Sequence, residues 1–383
     1  MKRSKQVIGL AVAPVILGLL MFVLPRYMNE EPALPPVEVT PDVMAAHDNP
    51  QSAAVPRTDI APPEPTESPV PHPRECKARM APYDKPSKEE VQRIIEEAVV
   101  LLRSTQDYEN MLAAAMLSAR RDTATTVELL NALGGEDATD PLVLWTGLSM
   151  CEGGSVGCDY ARVAANVRAN HSTNAAFWIA LAGNDLAEGR ENDALEAINV
   201  ALSAPGFDGY FAERYLLLDR AFAASTNWSA AERTLQIVEH FGSAPPGFRA
   251  VMAQCEKTEA VAWAPLCDQL AAKLKVTNEL MGRLYAYELQ LKLLEARGQL
   301  EEIAELRDGA VQEALGIQGD EDLMAATANL LFNDEMVLSR FLRDIESVGE
   351  IEAFRQLTEE VKRLQSSDGY DECRFIANPY LDI

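Results

Sequence analysis

Three aromatic residues, each followed sixteen positions later by an alanine, constrain this chain more than any other feature. Trp145 precedes Ala161, Trp178 precedes Ala194 and Tyr215 precedes Ala231, so the aromatics lie 33 and then 37 residues apart. Around each pair the apolar residues recur three and four apart, the period of an amphipathic helix, with short Gly, Asn or Pro turns between the runs. Each unit therefore reads as a helical hairpin. A large side chain on the first helix fills the space left where a small alanine on the second lets the backbones approach, and the next hairpin stacks on the same seam. Loop length can change without disturbing that seam, which accounts for the drift in period.

Within Phe177 to Leu202, the order Trp178, Leu181, Gly189, Ala194, Ile198, Ala201 resembles the tetratricopeptide pattern: a large residue and Leu on a first helix, Gly at the turn, small residues on a second. The resemblance is good over about residues 140–242. Earlier, DYENMLAAAMLSARRDTATTVELLNAL keeps the hairpin shape without the signature residues; later, YAYELQLKLLEARGQLEEIAEL has Gly298 but places Ala304 one residue late. The resemblance implies an all-α domain over 88–370, built of antiparallel helical hairpins stacked as a TPR-like α-solenoid, with a tail at 371–383. It also implies a concave groove for a protein or peptide partner, faced by Thr146, Ile179 and Leu216, each one residue after the frame's aromatic.

The start of the chain reads differently. After a basic N-terminus (1–6), Val7 to Leu24 forms an uncharged run just long enough to cross a hydrocarbon core as a helix. A cleaved signal peptide would have a shorter run and a small-x-small site, which PRYMNEEPALPP does not offer, so an uncleaved anchor fits better. Lys2, Arg3 and Lys5 outweigh Arg26, which keeps the N-terminus cytoplasmic and places the rest of the chain outside. Residues 25–87 form a proline-rich linker: 16 of the 22 prolines precede Lys88, and no aromatic residue occurs between Asn29 and Met80. Such a segment buries too little apolar surface to offset the entropy of ordering and is expected to be disordered.

The charge separates along the same line. Up to residue 87 there are 9 Lys and Arg against 10 Asp and Glu; beyond it, 25 against 49. A helical surface that acidic repels phosphate backbones, which excludes nucleic acid as a partner.

Six cysteines in an exported chain point to disulfides. In the repeat frame Cys151 closes one helix and Cys158 opens the next across EGGSVG, and Cys255 and Cys267 staple CEKTEAVAWAPLC. Cys76 and Cys373 are then left over, and pairing them requires the array to curl or the linker to fold back along it. His171 and His240, near helix ends, read as cap or surface residues. No catalytic, cofactor or metal residue stands out, and the nucleotide, zinc and nucleophile-elbow motifs are missing. The chain therefore reads as a non-enzymatic scaffold or adaptor anchored in the inner membrane, its helical domain in the periplasm, serving envelope assembly or secretion. The alternative is a helical subunit of a cell-wall polymer enzyme, which a clustered, buried pair of carboxylates in a cleft would favour.

Overall fold

The computed structural model describes residues 86–119, 121–134, 139–151, 157–241, 246–257, 262–299, 301–303, 306, 321–367 and 371–375. The expected anchor at 7–24, the linker up to residue 85 and Cys76 lie outside these. Among the described residues no helix is long and apolar enough to cross a membrane.

Fifteen α-helices follow one another in the described chain. They are α1 Lys88–Ser104, α2 Tyr108–Ser118, α3 Thr123–Ala132, α4 Pro141–Cys151, α5 Tyr160–Asn170, α6 Ala175–Ala187, α7 Glu191–Ser203 and α8 Phe211–Ser225. Then come α9 Ala230–Phe241, α10 Phe248–Cys255, α11 Ala264–Lys275, α12 Leu280–Arg297, α13 Glu321–Asn333, α14 Glu335–Val348 and α15 Glu350–Gln365, with a 3-10 turn at Glu372–Arg374. No strand pairs into a sheet among the described residues; a single bridge joins Asn174 and Gly206.

Local chemistry explains the helix ends. Ser87 accepts a hydrogen bond from the Glu90 N–H at 3.1 Å, satisfying one of the donors left open at the start of α1. Glu89 and Glu90 in its first turn and Arg103 in its last complement the helix dipole. Ile95, Ala98, Val99 and Leu102 form its buried stripe. Gly189 (φ +75°) turns α6 into α7, and Gly298 (φ +69°) ends α12 in the left-handed conformation that side chains other than hydrogen resist.

Two helices depart from one-sided burial. On α2 every residue from Leu112 to Ser118 is buried, and on α6 every residue from Ala175 to Asp185. Helices covered all round mark the centres of cores. One core gathers side chains of α1, α2, α3, α8, α9, α13, α14 and α15. The other gathers α5, α6, α7, α10 and α11. Two helices serve both. On α4, Val143 and Met150 enter the first core and Leu144, Trp145 and Leu148 the second; on α12, Leu284 and Tyr287 enter the first, Tyr285 and Leu289 the second.

Contacts in this arrangement reach beyond adjacent hairpins. In a solenoid each unit touches its neighbours alone, whereas α8 packs on α1, α2 and α14 as well as on α9, and α10 returns to α6. The frame's aromatics are all core residues: Trp145, Trp178 and Tyr215 are buried. Its alanines diverge. Ala194 is fully buried, Ala231 half-buried and Ala161 exposed, so both sides of the frame are buried only in α6–α7. The proposed tail at 371–383 begins inside packed structure, since the Asn329 and Asn333 side-chain amides donate to the Phe375 and Arg374 carbonyls, each at 3.1 Å.

Candidate functional site

The loop 204–210, between α7 and α8, carries the beginning of the site. Asn174, the N-cap of α6, holds it by accepting from the Asp208 N–H at 3.0 Å and donating to the Asp208 carbonyl at 2.8 Å. The Asp208 carboxylate accepts from the Tyr210 N–H at 2.7 Å, and Tyr210 adopts a left-handed backbone (φ 54°) to enter α8.

Two glutamates from distant parts of the chain converge there. Glu279, the N-cap residue of α12, accepts from the Gly209 N–H through both carboxylate oxygens, at 2.9 and 3.0 Å. Glu350, the first residue of α15 and buried, accepts from the Leu280 N–H at 2.6 Å. A carboxylate seventy positions away thus satisfies an open donor of α12, at the end where the helix dipole favours negative charge. The backbone repeats the link: the Ile351 N–H donates to the Asn278 carbonyl at 3.2 Å. One cation sits beside the cluster. Arg214 on α8 donates to the Tyr210 carbonyl at 3.2 Å and lies over the Trp145 ring, 5.6 Å from its centroid.

The carboxyl groups are strongly perturbed. Burial raises Glu279 well above the ordinary carboxylate range; the charges of Glu350 and Asp208 add to this, and the Gly209 N–H opposes it. Burial likewise pushes Glu350 up to about 7, reinforced by Asp208 and opposed by the Leu280 N–H and Arg214. Glu213 is raised, first by burial, and burial draws Arg214 down to about 10. Burial and mutual repulsion therefore favour the protonated forms of Glu279 and Glu350. Their oxygens, however, engage backbone N–H groups, Gly209 in the α7–α8 loop and Leu280 at the start of α12, so they tie that loop, α12 and α15 together.

The expected site residues fall elsewhere. Cys151 and Cys158 form a disulfide with Cα atoms 5.3 Å apart, joining the end of α4 to the approach to α5. Cys255 and Cys267 form another, with Cα atoms 5.8 Å apart, joining α10 to α11. Cys373 is buried and disulfide-bonded; Cys76 lies outside the described residues. Two of the three residues expected to face a groove are buried. Ile179 is buried among core residues of α6, and Thr146 is buried with its hydroxyl donating to the Leu142 carbonyl at 2.7 Å. Neither offers surface to a partner in this packing. Leu216 is half-buried against the first core. His171 caps α5, and its Nε2 lies 2.8 Å from the Thr139 carbonyl.

Asp208, Glu279 and Glu350 were not legible beforehand. The segment APGFDG that holds Asp208 carries the Pro and Gly of a turn, but nothing near Glu279 or Glu350 marks them among 59 acidic residues. Among the described residues no group of three or more His, Cys, Asp or Glu is arranged to hold a metal ion. Comparison of the chain with protein-family models, curated proteins and solved structures finds no match.

Proposed function

We propose that this chain is a non-catalytic helical adaptor that works outside the cytoplasm, held at the inner membrane by residues 7–24 and set off from it by the proline-rich linker. Its partner is a protein or peptide, recruited where tethering raises the local concentration of the helical domain. The observation that carries this reading is the pair of disulfides, Cys151–Cys158 and Cys255–Cys267, each closing a helical connection of the same domain. Such bonds persist in oxidising compartments, in agreement with an N-terminus kept inside and a domain sent out.

The carboxylate junction bears on the enzymatic alternative. A hydrolase acting on wall polymer requires carboxyl groups that reach a substrate, whereas Glu279 and Glu350 use their oxygens on Gly209 and Leu280. That favours an architectural role for them.

The test is crosslinking in intact cells, comparing the full chain with a variant lacking Val7 to Leu24, together with protease protection of the helical domain in spheroplasts. The expected result is a domain open to protease from the periplasmic side and a polypeptide captured by the anchored form alone. A protected domain, or identical capture by both forms, overturns the reading.

A further inference from the structure

Cys373, in the 3-10 turn at Glu372–Arg374, is buried and disulfide-bonded. Among the described residues no cysteine is free, and Cys151, Cys158, Cys255 and Cys267 pair among themselves. Of the six cysteines in the chain, Cys76 is the one left for it. The fold brings the two ends of the helical domain within reach of such a bond. Ile95, Val99 and Leu102 of α1 share the first core with Phe375, two positions after Cys373. The turn is fixed in place, since Asn329 and Asn333 on α13 donate to the Phe375 and Arg374 carbonyls and Arg374 pairs with Asp334. Twelve positions separate Cys76 from Lys88, the first residue of α1. An extended chain of that length spans up to about 40 Å, more than the roughly 30 Å across a small domain.

The sequence changes character over the same stretch. Tyr83 is the first aromatic residue after Tyr27. Of the five Lys and Arg between residues 27 and 87, four (Arg74, Lys77, Arg79 and Lys85) fall between Arg74 and Lys85, against two acidic residues there, Glu75 and Asp84. The helical part beyond residue 87 carries 25 Lys and Arg against 49 Asp and Glu, so a short basic segment is drawn to its surface. Met80 and Tyr83 add two large side chains with apolar area to bury.

We infer that residues 76–85 are a strap of the helical domain, clasped to the C-terminal turn by a Cys76–Cys373 disulfide and held along its length by Lys77, Arg79 and Lys85 against the acidic helices. The bond forms from two thiols by exchange with a protein disulfide, which takes up the two electrons and two protons as a dithiol. It closes a ring that contains every described helix. Pull on the linker then enters the domain at Cys373, beside α13 and α14, and not at the first turn of α1. The inference rests on the domain lying in an oxidising compartment and not on the identity of a partner.

The test is limited tryptic digestion of the unreduced full chain in detergent. Cuts after Arg57 and Arg79 are timed by mass spectrometry, each rate being normalised to that of a synthetic peptide with the same local sequence. Arg79 is expected to be cut at least about tenfold more slowly than Arg57, because a packed backbone resists nicking where a solvated linker does not. Replacing both cysteines, Cys76→Ser with Cys373→Ser, brings Arg79 up to the rate of Arg57 with helical circular dichroism retained. Cys76→Ser alone leaves the buried Cys373 in place and serves where the pair fails to fold. Equal normalised rates at the two sites in the parent, or undiminished protection of Arg79 in a folded variant, overturns the strap. Such a failure leaves the adaptor reading standing, because membrane crosslinking tests that separately.

Discussion

Gly183 on α6 and Gly247 at the start of α10 meet backbone to backbone. A Cβ on Gly247 would lie 2.7 Å from the carbonyl oxygens of Ile179 and Ala180, and one on Gly183 would press into the Gly247 backbone. This contact lets α10 cross the central helix of the second core.

Gly183→Ala is therefore expected to lower stability by about 2 kcal/mol or more, since neither backbone can yield without shifting a helix. Gly189→Ala is the control. Its φ of +75° strains any side chain, but nothing lies within 4 Å of its Cβ position, so the loss is about 1 kcal/mol. Urea unfolding followed by circular dichroism ranks the two, and a smaller loss for Gly183→Ala counts against the close crossing.

The carboxylate junction predicts a pH dependence. Glu350 and Glu279 hold their protons more tightly folded than unfolded, so their stabilisation is full below the ordinary carboxylate value of 4.5. It is lost as pH rises towards about 7, where Glu350 ionises in the folded chain. Glu352 acts in a lower window: hydrogen bonds from Arg355 and Gln356 hold it near 2, so its contribution disappears only as pH falls below 4.5. Urea midpoints should decline as pH rises from 5 through about 7.

Glu350→Gln isolates one group. The amide oxygen still accepts from the Leu280 N–H, but the side chain cannot ionise. The variant should be more stable than the parent at pH 8, by on the order of 2 kcal/mol, and nearly equal at pH 5. Lower stability at both pH values would assign Glu350 a charged role instead.

Removing the Cys255–Cys267 bond with paired serines is expected to lower stability by about 2 to 3 kcal/mol through loop-closure entropy. Cys151–Cys158 encloses a shorter loop, seven positions against twelve, and should contribute somewhat less. Peptide mapping without reduction should recover both links and, under the proposed pairing, Cys373 joined to Cys76.

Asp185, buried on α6, accepts from the Tyr160 hydroxyl at 2.8 Å and from Arg190 Nη2 at 2.6 Å. Asp185→Asn preserves shape and removes charge from the Arg190 bond, so a loss of about 2 kcal/mol is expected by urea unfolding. A change below half of that would make the Arg190 pair an exposed one in energetic terms.

How much of this was readable in the chain differs from residue to residue. Ser87 as the start of α1, Gly189 and Gly298 as helix ends, and the two short disulfides depend on neighbours within about a dozen positions. The aromatics Trp145, Trp178 and Tyr215 were readable as core for the same reason, because their helical stripes are local patterns. Which helix covers each stripe was not: Ile179 looked available to a groove because the return of α10 onto α6 leaves no mark near it.

By itself, then, the order of amino acids determined the helices, their turns, the staples between adjacent ones and the division into an acidic helical part and a proline-rich lead. Only the tertiary structure decided that α8 would pack on α1, α2 and α14, and that Asp208, Glu279 and Glu350 among so many carboxylates would meet. The reason is the range of the forces. Helix caps, periodicity and short bridges act between near neighbours, whereas burial and the meeting of distant carboxyl groups depend on residues that come together only after the helices have packed.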